Sequence, residues 1–163
     1  MSKEESSNLK IISSIIVILL VVAGYLVLKD KTPRDSSLDS LDNSEMVVVE
    51  NTPMVEGRVL VPQGFPEDIP VEVESIFESA TTRYPKQSAK QLSLSYKTSS
   101  TMVEKYTEYK NHLTNAGFTV REDSNHSSIR AIFGSRPDAN LAVAISSFEG
   151  MTIVQLSYLV KSL

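Results

Sequence analysis

Alternating apolar and polar positions predict strands in the second half of the chain. Residues 91–98 read QLSLSYKT, which places Leu92, Leu94 and Tyr96 on one side and serine and lysine residues on the other. This period of two is typical of a half-buried strand. Four further strands are predicted at 118–123, 128–134, 141–148 and 151–160. The gaps between them are short, so the strands should form an antiparallel meander with a tight hairpin at Glu149–Gly150.

One helix is predicted over 101–116, between the first of these strands and the second. Thr101 and Glu104 have the spacing of a capping box, and Gly117 suits the left-handed conformation that ends many helices. The positions at helical spacing are Val103, Tyr106, Leu113 and Ala116, with either Tyr109 or Lys110 between them. The element order is then β-α-β-β-β-β. It predicts an α+β fold in which an antiparallel sheet of about five strands carries one helix on a face.

Extended chain is predicted before the first strand. Prolines recur within 61–75, at Pro62, Pro66 and Pro70. They disfavour helix, so this lead-in should be extended and contain turns. Residues 29–56 are rich in Asp, Ser and Asn and should form a flexible acidic linker. Its apolar patch at 46–49, and a second at 54–61, fit either short edge strands or segments that dock a partner.

A run of eighteen uncharged residues, 11–28, is long enough to cross a membrane. As a helix rising ~1.5 Å per residue it would span roughly 27 Å, close to the ~30 Å hydrocarbon core of a bilayer. A cleaved signal peptide has only about 7–15 apolar residues, followed by a small-x-small cleavage site. Here Tyr25 and further apolar residues follow the one small pair, Ala23–Gly24. We therefore predict a retained signal anchor that crosses the membrane once.

The orientation of this anchor is weakly encoded. Basic residues flank it on both sides, with Lys3 and Lys10 before it and Lys29, Lys31 and Arg34 after it. The positive-inside rule therefore gives a tie. Because the tail at 1–10 is short and a whole domain follows, we predict that the C-terminal domain lies outside the cytoplasm. The predicted organisation is a tail at 1–10, an anchor at 11–28, a linker at 29–56 and a globular domain at 57–163.

Composition narrows the classes of partner and of chemistry. The chain carries 16 basic and 20 acidic residues, a net charge of −4, so we expect no binding to nucleic acid. Cysteine is absent, which excludes disulfides, thiolate metal ligands, cysteine nucleophiles and lipid attachment through a thioether. The partners expected from the sequence are the lipid bilayer, through 11–28, and a protein of the cell envelope.

Candidate catalytic residues are few. His112 and His126 are the only histidines, and neither has the spacing of a metal site, so His112 is expected to face solvent on the helix. Glu72 and Glu74 alternate as a pair of carboxylates on one strand face could, but exposed glutamates are the ordinary explanation. Nucleophile elbows and phosphate-binding loops are absent from the sequence. We predict no catalytic, cofactor-binding or metal-binding residues, and no cofactor.

Tyrosines offer a second kind of candidate site, because exposed aromatic rings can stack on sugars or peptides. Tyr96, Tyr106 and Tyr158 fall in phase with the predicted core positions, which assigns them to packing. Tyr109 is the tyrosine that we predict to be exposed.

Two short phrases resemble a known group of proteins. Phe65–Pro70 reads FPEDIP, and Leu113–Phe118 reads LTNAGF. They resemble the FP-x-D-x-P opening and the helix-ending Leu-x-x-Ala-Gly-aromatic phrase of bacterial membrane-anchored or lipoprotein-type extracytoplasmic domains of unknown function. The usual Phe-Tyr pair of the helix is replaced here by Lys105–Tyr106, and a proline/glycine phrase by 71–74. The resemblance implies an α+β fold and a cell-envelope location, and it supplies no catalytic residues.

Two functions are compatible with these observations. The first is a membrane-anchored extracytoplasmic module that binds or scaffolds an envelope partner without catalysis. The second is a structural, pilin-like subunit that assembles through its apolar N-terminal helix. The second requires a helix that continues past Pro33, and the chain lacks the glycine and glutamate of a prepilin processing site. The binding module is therefore preferred, and an enzyme ranks third.

Overall fold

A seven-stranded antiparallel sheet dominates the computed structural model, which describes residues 47–125 and 129–161. In chain order the strands are β1 (Val48–Asn51), β2 (Met54–Val55), β3 (Arg58–Val59), β4 (Ile76–Tyr84), β5 (Ala89–Thr98), β6 (Thr119–Asn125), β7 (Ile129–Ser135), β8 (Ala139–Phe148) and β9 (Met151–Lys161). The helix α1 (Met102–Asn115) lies between β5 and β6 in the chain. The sheet order is β1-β4-β5-β9-β8-β7-β6, and β2 and β3 form a separate hairpin.

The predicted fold class, an α+β fold with about five strands and a transmembrane helix, is wrong. The described residues form a sheet of seven strands, a two-stranded hairpin and one α-helix, so the fold is sheet-dominated. No helix in the part of the chain that the structure describes has the length and apolar character needed to cross a bilayer. The predicted tail at 1–10 and anchor at 11–28, with most of the predicted linker, lie outside the described residues.

The strands that the sequence pattern missed have no apolar period of two. In β4 the buried residues are Ile76, Ser79 and Thr82, spaced by three, and two of them are polar. A bulge between Ile76 and Glu78 shifts the register. Strand β1 pairs with β4 from Val48–Arg83 to Asn51–Ala80. Residues 48–51 lie in the predicted linker but belong to the sheet.

Helix α1 is confirmed to within one residue at each end. The Thr101 hydroxyl accepts a hydrogen bond from the Glu104 amide at 3.2 Å, and the Glu104 carboxylate accepts one from the Thr101 amide at 2.7 Å. At the other end Gly117 has φ of +75°, and its amide donates to Thr114 O. The Phe118 amide donates to Leu113 O at 3.0 Å, which completes a Schellman cap. Local chemistry alone thus sets both ends of the helix.

One face of the sheet, the covered face, carries the core. It presents Leu92 and Leu94 of β5 beside Leu156 and Tyr158 of β9, and all four are buried. Helix α1 packs over β6, β7 and β8 on this side. The lead-in at 61–75 packs against the same core through Phe65 and Ile69, and the Phe65 ring lies edge-on to Tyr158 at 6.2 Å. The lead-in contains the predicted turns, but Val73–Ser75 forms a 3-10 turn where extended chain was predicted.

Candidate functional site

A lysine is buried where α1 meets the sheet. Lys105, Tyr109 and Leu113 follow one another at i, i+4 spacing along the helix, and all three are buried. The Lys105 Nζ lies 2.8 Å from Glu72 Oε1 and 2.9 Å from Glu108 Oε2. Glu108 comes from the next turn of the same helix, whereas Glu72 comes from the lead-in. A buried ammonium group paired with two carboxylates thus links the lead-in to α1.

Two tyrosines lie beneath this ion pair. The Lys105 Nζ is 5.6 Å from the centre of the Tyr96 ring, within the range of a cation–π contact. The Tyr96 and Tyr109 hydroxyls are 2.8 Å apart, and the Tyr109 hydroxyl donates to the carbonyl of Pro70. A phenol has one proton to donate, so Tyr96 must be the donor to Tyr109. Strand β5, α1 and the lead-in are therefore joined by one chain of hydrogen bonds.

The two glutamates that the sequence suggested as a pair lie in different environments. Neither is in a strand, because Val73–Ser75 forms a 3-10 turn that Glu72 precedes. Glu72 accepts from Lys105 and, at 2.7 Å, from the Thr98 hydroxyl, whereas Glu74 pairs with Arg58 at 2.8 Å on the surface. They therefore do not form a catalytic pair of carboxylates. We call Glu72, Tyr96, Lys105, Glu108 and Tyr109 the lysine cluster.

The protonation states of the lysine cluster argue against catalysis there. Burial on its own would lower the pKa of Lys105, but the hydrogen bonds to Glu72 and Glu108 outweigh it and raise this pKa above its ordinary value. Burial raises the pKa of Tyr96 and of Tyr109. A nucleophilic lysine needs a lowered pKa, and a tyrosine base needs one nearer neutrality. The cluster therefore holds a permanent cation and two neutral phenols, which suits a structural role.

The tyrosine and histidine predictions for α1 need correction. Tyr109, predicted to be exposed, is fully buried, because the helix turns the 105–109–113 side toward the sheet. Tyr96 and Tyr158 are confirmed as buried, and Tyr106 packs against the core. His112, predicted to face solvent, is only 14% exposed, and its Nε2 lies 3.8 Å from Asp68 Oδ2.

The described part of the chain was compared with the geometry that a metal site requires. Within 47–125 and 129–161, no group of three or more histidine, cysteine, aspartate or glutamate side chains is placed to hold a metal ion. His126, the second histidine that the sequence offered, lies outside the described residues.

A polar network on the opposite face of the sheet was missed from the sequence. The Tyr84 hydroxyl donates to Gln91 Oε1 at 2.8 Å, and Gln91 Nε2 donates to the Ser157 hydroxyl at 2.8 Å. Glu78, on the same face, has a buried carboxylate oxygen without a hydrogen-bond partner, and burial raises its pKa. The sequence pattern predicted no strand over 76–84, so it gave no position for Tyr84 or Glu78. Gln91 bonds to Ser157, 66 positions later in the chain, and such a partner leaves no local signal.

Exposed apolar side chains concentrate between Val47 and Leu60, in the edge strand β1 and in and beside the β2–β3 hairpin. Eleven large apolar side chains of the described residues are exposed, and six of them fall between Val47 and Leu60. These six are Val47, Val48, Val49, Met54, Val55 and Leu60, with exposed fractions from 37% to 65%. We call them the apolar edge surface, because Val48 and Val49 belong to the edge strand β1. Patches of this kind mark interaction sites more often than isolated apolar residues do.

No protein-family model, curated protein or solved structure matches this chain. The resemblance to bacterial extracytoplasmic domains therefore stays a prediction. What the structure adds is a physical role for the FPEDIP phrase. Phe65 and Ile69 are buried in the core, and Pro70 accepts the hydrogen bond from Tyr109. The phrase thus fastens the lead-in to the covered face of the sheet.

Proposed function

We propose that this chain is a non-catalytic binding or scaffolding module that is held at a membrane with its sheet domain outside the cytoplasm. The single observation that carries the binding part is the apolar edge surface. Leaving six large apolar side chains exposed within fourteen residues costs solubility, and a partner that covers them would recover the free energy of burial, about 25 cal/mol per Å².

The lysine cluster supports the non-catalytic part of the proposal. It is the most strongly perturbed set of titratable groups among the described residues, which is where catalysis would be sought first. Its pKa shifts run opposite to those that a lysine nucleophile or a tyrosine base requires. Its hydrogen bonds join its own members or reach Thr98 and the carbonyl of Pro70, so they hold the fold together, which suits a domain whose task is to present a surface.

The membrane part of the proposal rests on the sequence. The uncharged run at 11–28 has the length of a bilayer-spanning helix, and the lipid bilayer is the partner it would take. A polar segment separates this run from β1. In the chain, the residues of the apolar edge surface come directly after this polar segment. For the pilin-like alternative, the described residues offer no observation of their own.

Site-specific photocrosslinking in cells tests the proposal. The full chain carries a C-terminal tag and a photoreactive phenylalanine analogue in place of Met54, which is 65% exposed in the apolar edge surface. The matched control carries the analogue in place of Asn111, which is exposed on α1. We expect crosslinked species from Met54 and none from Asn111.

Protease treatment of the same intact cells tests the location. Removal of the tag while the N-terminal part stays in the membrane fraction is expected. Full protection of the tag would overturn the extracytoplasmic location. Equal crosslinking at Met54 and Asn111 would overturn the binding role of the apolar edge surface.

A further inference from the structure

The two edges of the seven-stranded sheet differ in how they discourage association with other strands. Strand β6 forms one edge, and its sequence carries the charged run 121–123 with a bulge between Glu122 and Ser124. Charges and bulges are the usual protection of an open edge. Strand β1 forms the other edge and reads VVEN after Val47, with neither proline nor bulge and with one charged residue. Among the described strands β1 pairs with β4 alone, and no other strand of the described residues covers its outer edge.

We propose that β1 pairs in antiparallel fashion with β1 of a second copy of this chain, so that two sheets join across a two-fold axis. The inference rests on the proposed function, because it names the occupant of the apolar edge surface. A strand is the natural occupant of an unprotected edge, since its main chain supplies the missing donors and acceptors. A second copy brings the same edge, which makes the contact self-complementary.

The faces of the strand restrict the register of this pairing. Val48 and Glu50 point to one face of the sheet, and Val49 and Asn51 point to the other. A two-fold axis perpendicular to the sheet leaves each side chain pointing to the same face in both copies. Even-numbered residues can therefore pair only with even-numbered residues of the second copy, and odd-numbered residues only with odd-numbered ones. The axis must then pass beside Val48, Val49 or Glu50.

Charge and length select one of these three registers. An axis at Glu50 would place two carboxylates directly opposite each other, which is unfavourable. An axis at Val48 would pair only the three residues 47–49 within the described chain. An axis at Val49 pairs all five residues of 47–51, with Val49 opposite its own copy and Val48 opposite Glu50 of the second copy. This register is the one that we propose.

The proposed register is also complementary in charge. Val48 lies opposite Arg83 within its own sheet, so the row across the new junction reads Glu50 of the second copy, Val48 and Arg83. Within one copy Arg83 already lies 3.7 Å from Glu50, and both side chains are more than half exposed. Glu50 of the second copy would therefore lie two strands from Arg83, on the same side of β4 as Glu50 of its own copy, and would bring a second carboxylate toward the guanidinium. Five paired residues form a small contact, below the ~1,200 Å² of stable complexes, so the dimer should be weak and concentration-dependent.

Cysteine scanning of the full chain tests this inference cleanly, because the chain has no cysteine of its own. Under mild oxidation, Val49→Cys should form a disulfide-linked dimer, since residues directly opposite in an antiparallel pair have Cα atoms about 4.5–5.5 Å apart. Val48→Cys and Glu50→Cys should link about 10-fold less, because each is offset from its own copy beyond the ~7 Å reach of a disulfide. Thr119→Cys, exposed on β6, is the control on the far edge.

A mixture of the Val48→Cys and Glu50→Cys chains supplies the positive counterpart, since these positions face each other in the proposed register and should form a mixed dimer. Equal linking at 48, 49 and 50, or no linking at 49 above that at 119, would overturn the inference. If Met54 still captures other proteins in cells while Val49→Cys fails to link, the binding role survives and the second copy is excluded as the occupant. If both fail, the proposed function falls as well.

Discussion

At the scale of single residues, the structure buries side chains that would be expected from the sequence to face solvent. Lys105 is buried because Glu72 and Glu108 neutralise its charge, and Glu72 lies 33 positions earlier in the chain. The residues that surround a single lysine in a helix do not indicate that such a distant partner exists. The helix was predicted in the right place, and Tyr106, Leu113 and Ala116 do pack in or against the core. The errors are Val103, which is 55% exposed, and Tyr109, which is buried.

Replacing Lys105 with methionine tests the lysine cluster. The methionine keeps most of the apolar stem but leaves Glu72 and Glu108 without their cation. Both carboxylates are about 40% exposed, so the loss should stay below that of a fully buried pair, at about 1–3 kcal/mol in the free energy of unfolding. Urea denaturation measures it. Lys110→Met, exposed on the same helix, should change stability by less than about 0.5 kcal/mol; equal effects of the two variants would refute a special role for Lys105.

Glu78 should make the stability depend on pH. Burial raises its pKa in the folded protein, so the folded state holds this proton more tightly than the unfolded state does. Stability from Glu78 is therefore present at low pH and is lost as pH rises through the raised pKa. Glu78→Gln should be the more stable protein at pH 7, by up to about 1 kcal/mol, and the gain should shrink toward pH 4. Urea midpoints across this range decide it, with the exposed Glu74→Gln as the control; a gain that is independent of pH would contradict the assignment.

At the scale of elements, strands with a regular apolar side were predictable and irregular ones were not. Residues 91–98 alternate without interruption, and β5 was found within two residues of its predicted start. Strand β4 buries Ser79 and Thr82 beside neighbours that no local pattern reveals, and a bulge breaks its period. The caps of α1 were predictable because a capping box and a glycine are local signals.

The contact between α1 and β7 depends on the absence of a side chain at Gly134. A Cβ atom placed there would lie 2.4 Å from Leu113 Cδ2 and 3.1 Å from Phe118 Cβ. Because Leu113 is fully buried, Gly134→Ala should force the helix or the leucine to move and should lower the free energy of unfolding by about 1–3 kcal/mol. Adding Leu113→Ala to this variant should be less harmful than adding it to the parent. A double-mutant cycle measured by urea denaturation checks this; strict additivity would show that the two sites do not clash.

At the scale of the whole molecule, the sheet begins earlier in the chain than the sequence suggested. The described residues belong to the compact unit Ser44–Leu163, whereas the predicted domain began at residue 57. A fragment that starts at 57 would lose β1 and uncover the edge of β4 from Ala80 to Arg83. The compositional change at Met46 is the better boundary, because it separates polar chain from the first paired strand.

Two fragments test this boundary. Residues 44–163 should unfold cooperatively and stay soluble, whereas residues 57–163 should be less stable and should aggregate at lower concentration, because β4 then becomes an unprotected edge. Thermal unfolding followed by circular dichroism, with light scattering on the same samples, measures both. Identical behaviour of the two fragments would show that β1 contributes nothing to the fold.

The position of β9 at the centre of the sheet has a consequence for synthesis. Strand β9 follows every other described strand in the chain, yet it pairs with β5 on one side and with β8 on the other. Until it leaves the ribosome, strands β1, β4 and β5 on one side have no partner that connects them to β6, β7 and β8 on the other. The growing chain therefore has no complete sheet to form. If the domain is exported, its chain can stay unfolded, and therefore able to pass through an export channel, until the last strand has been made. No separate factor is then needed to delay folding.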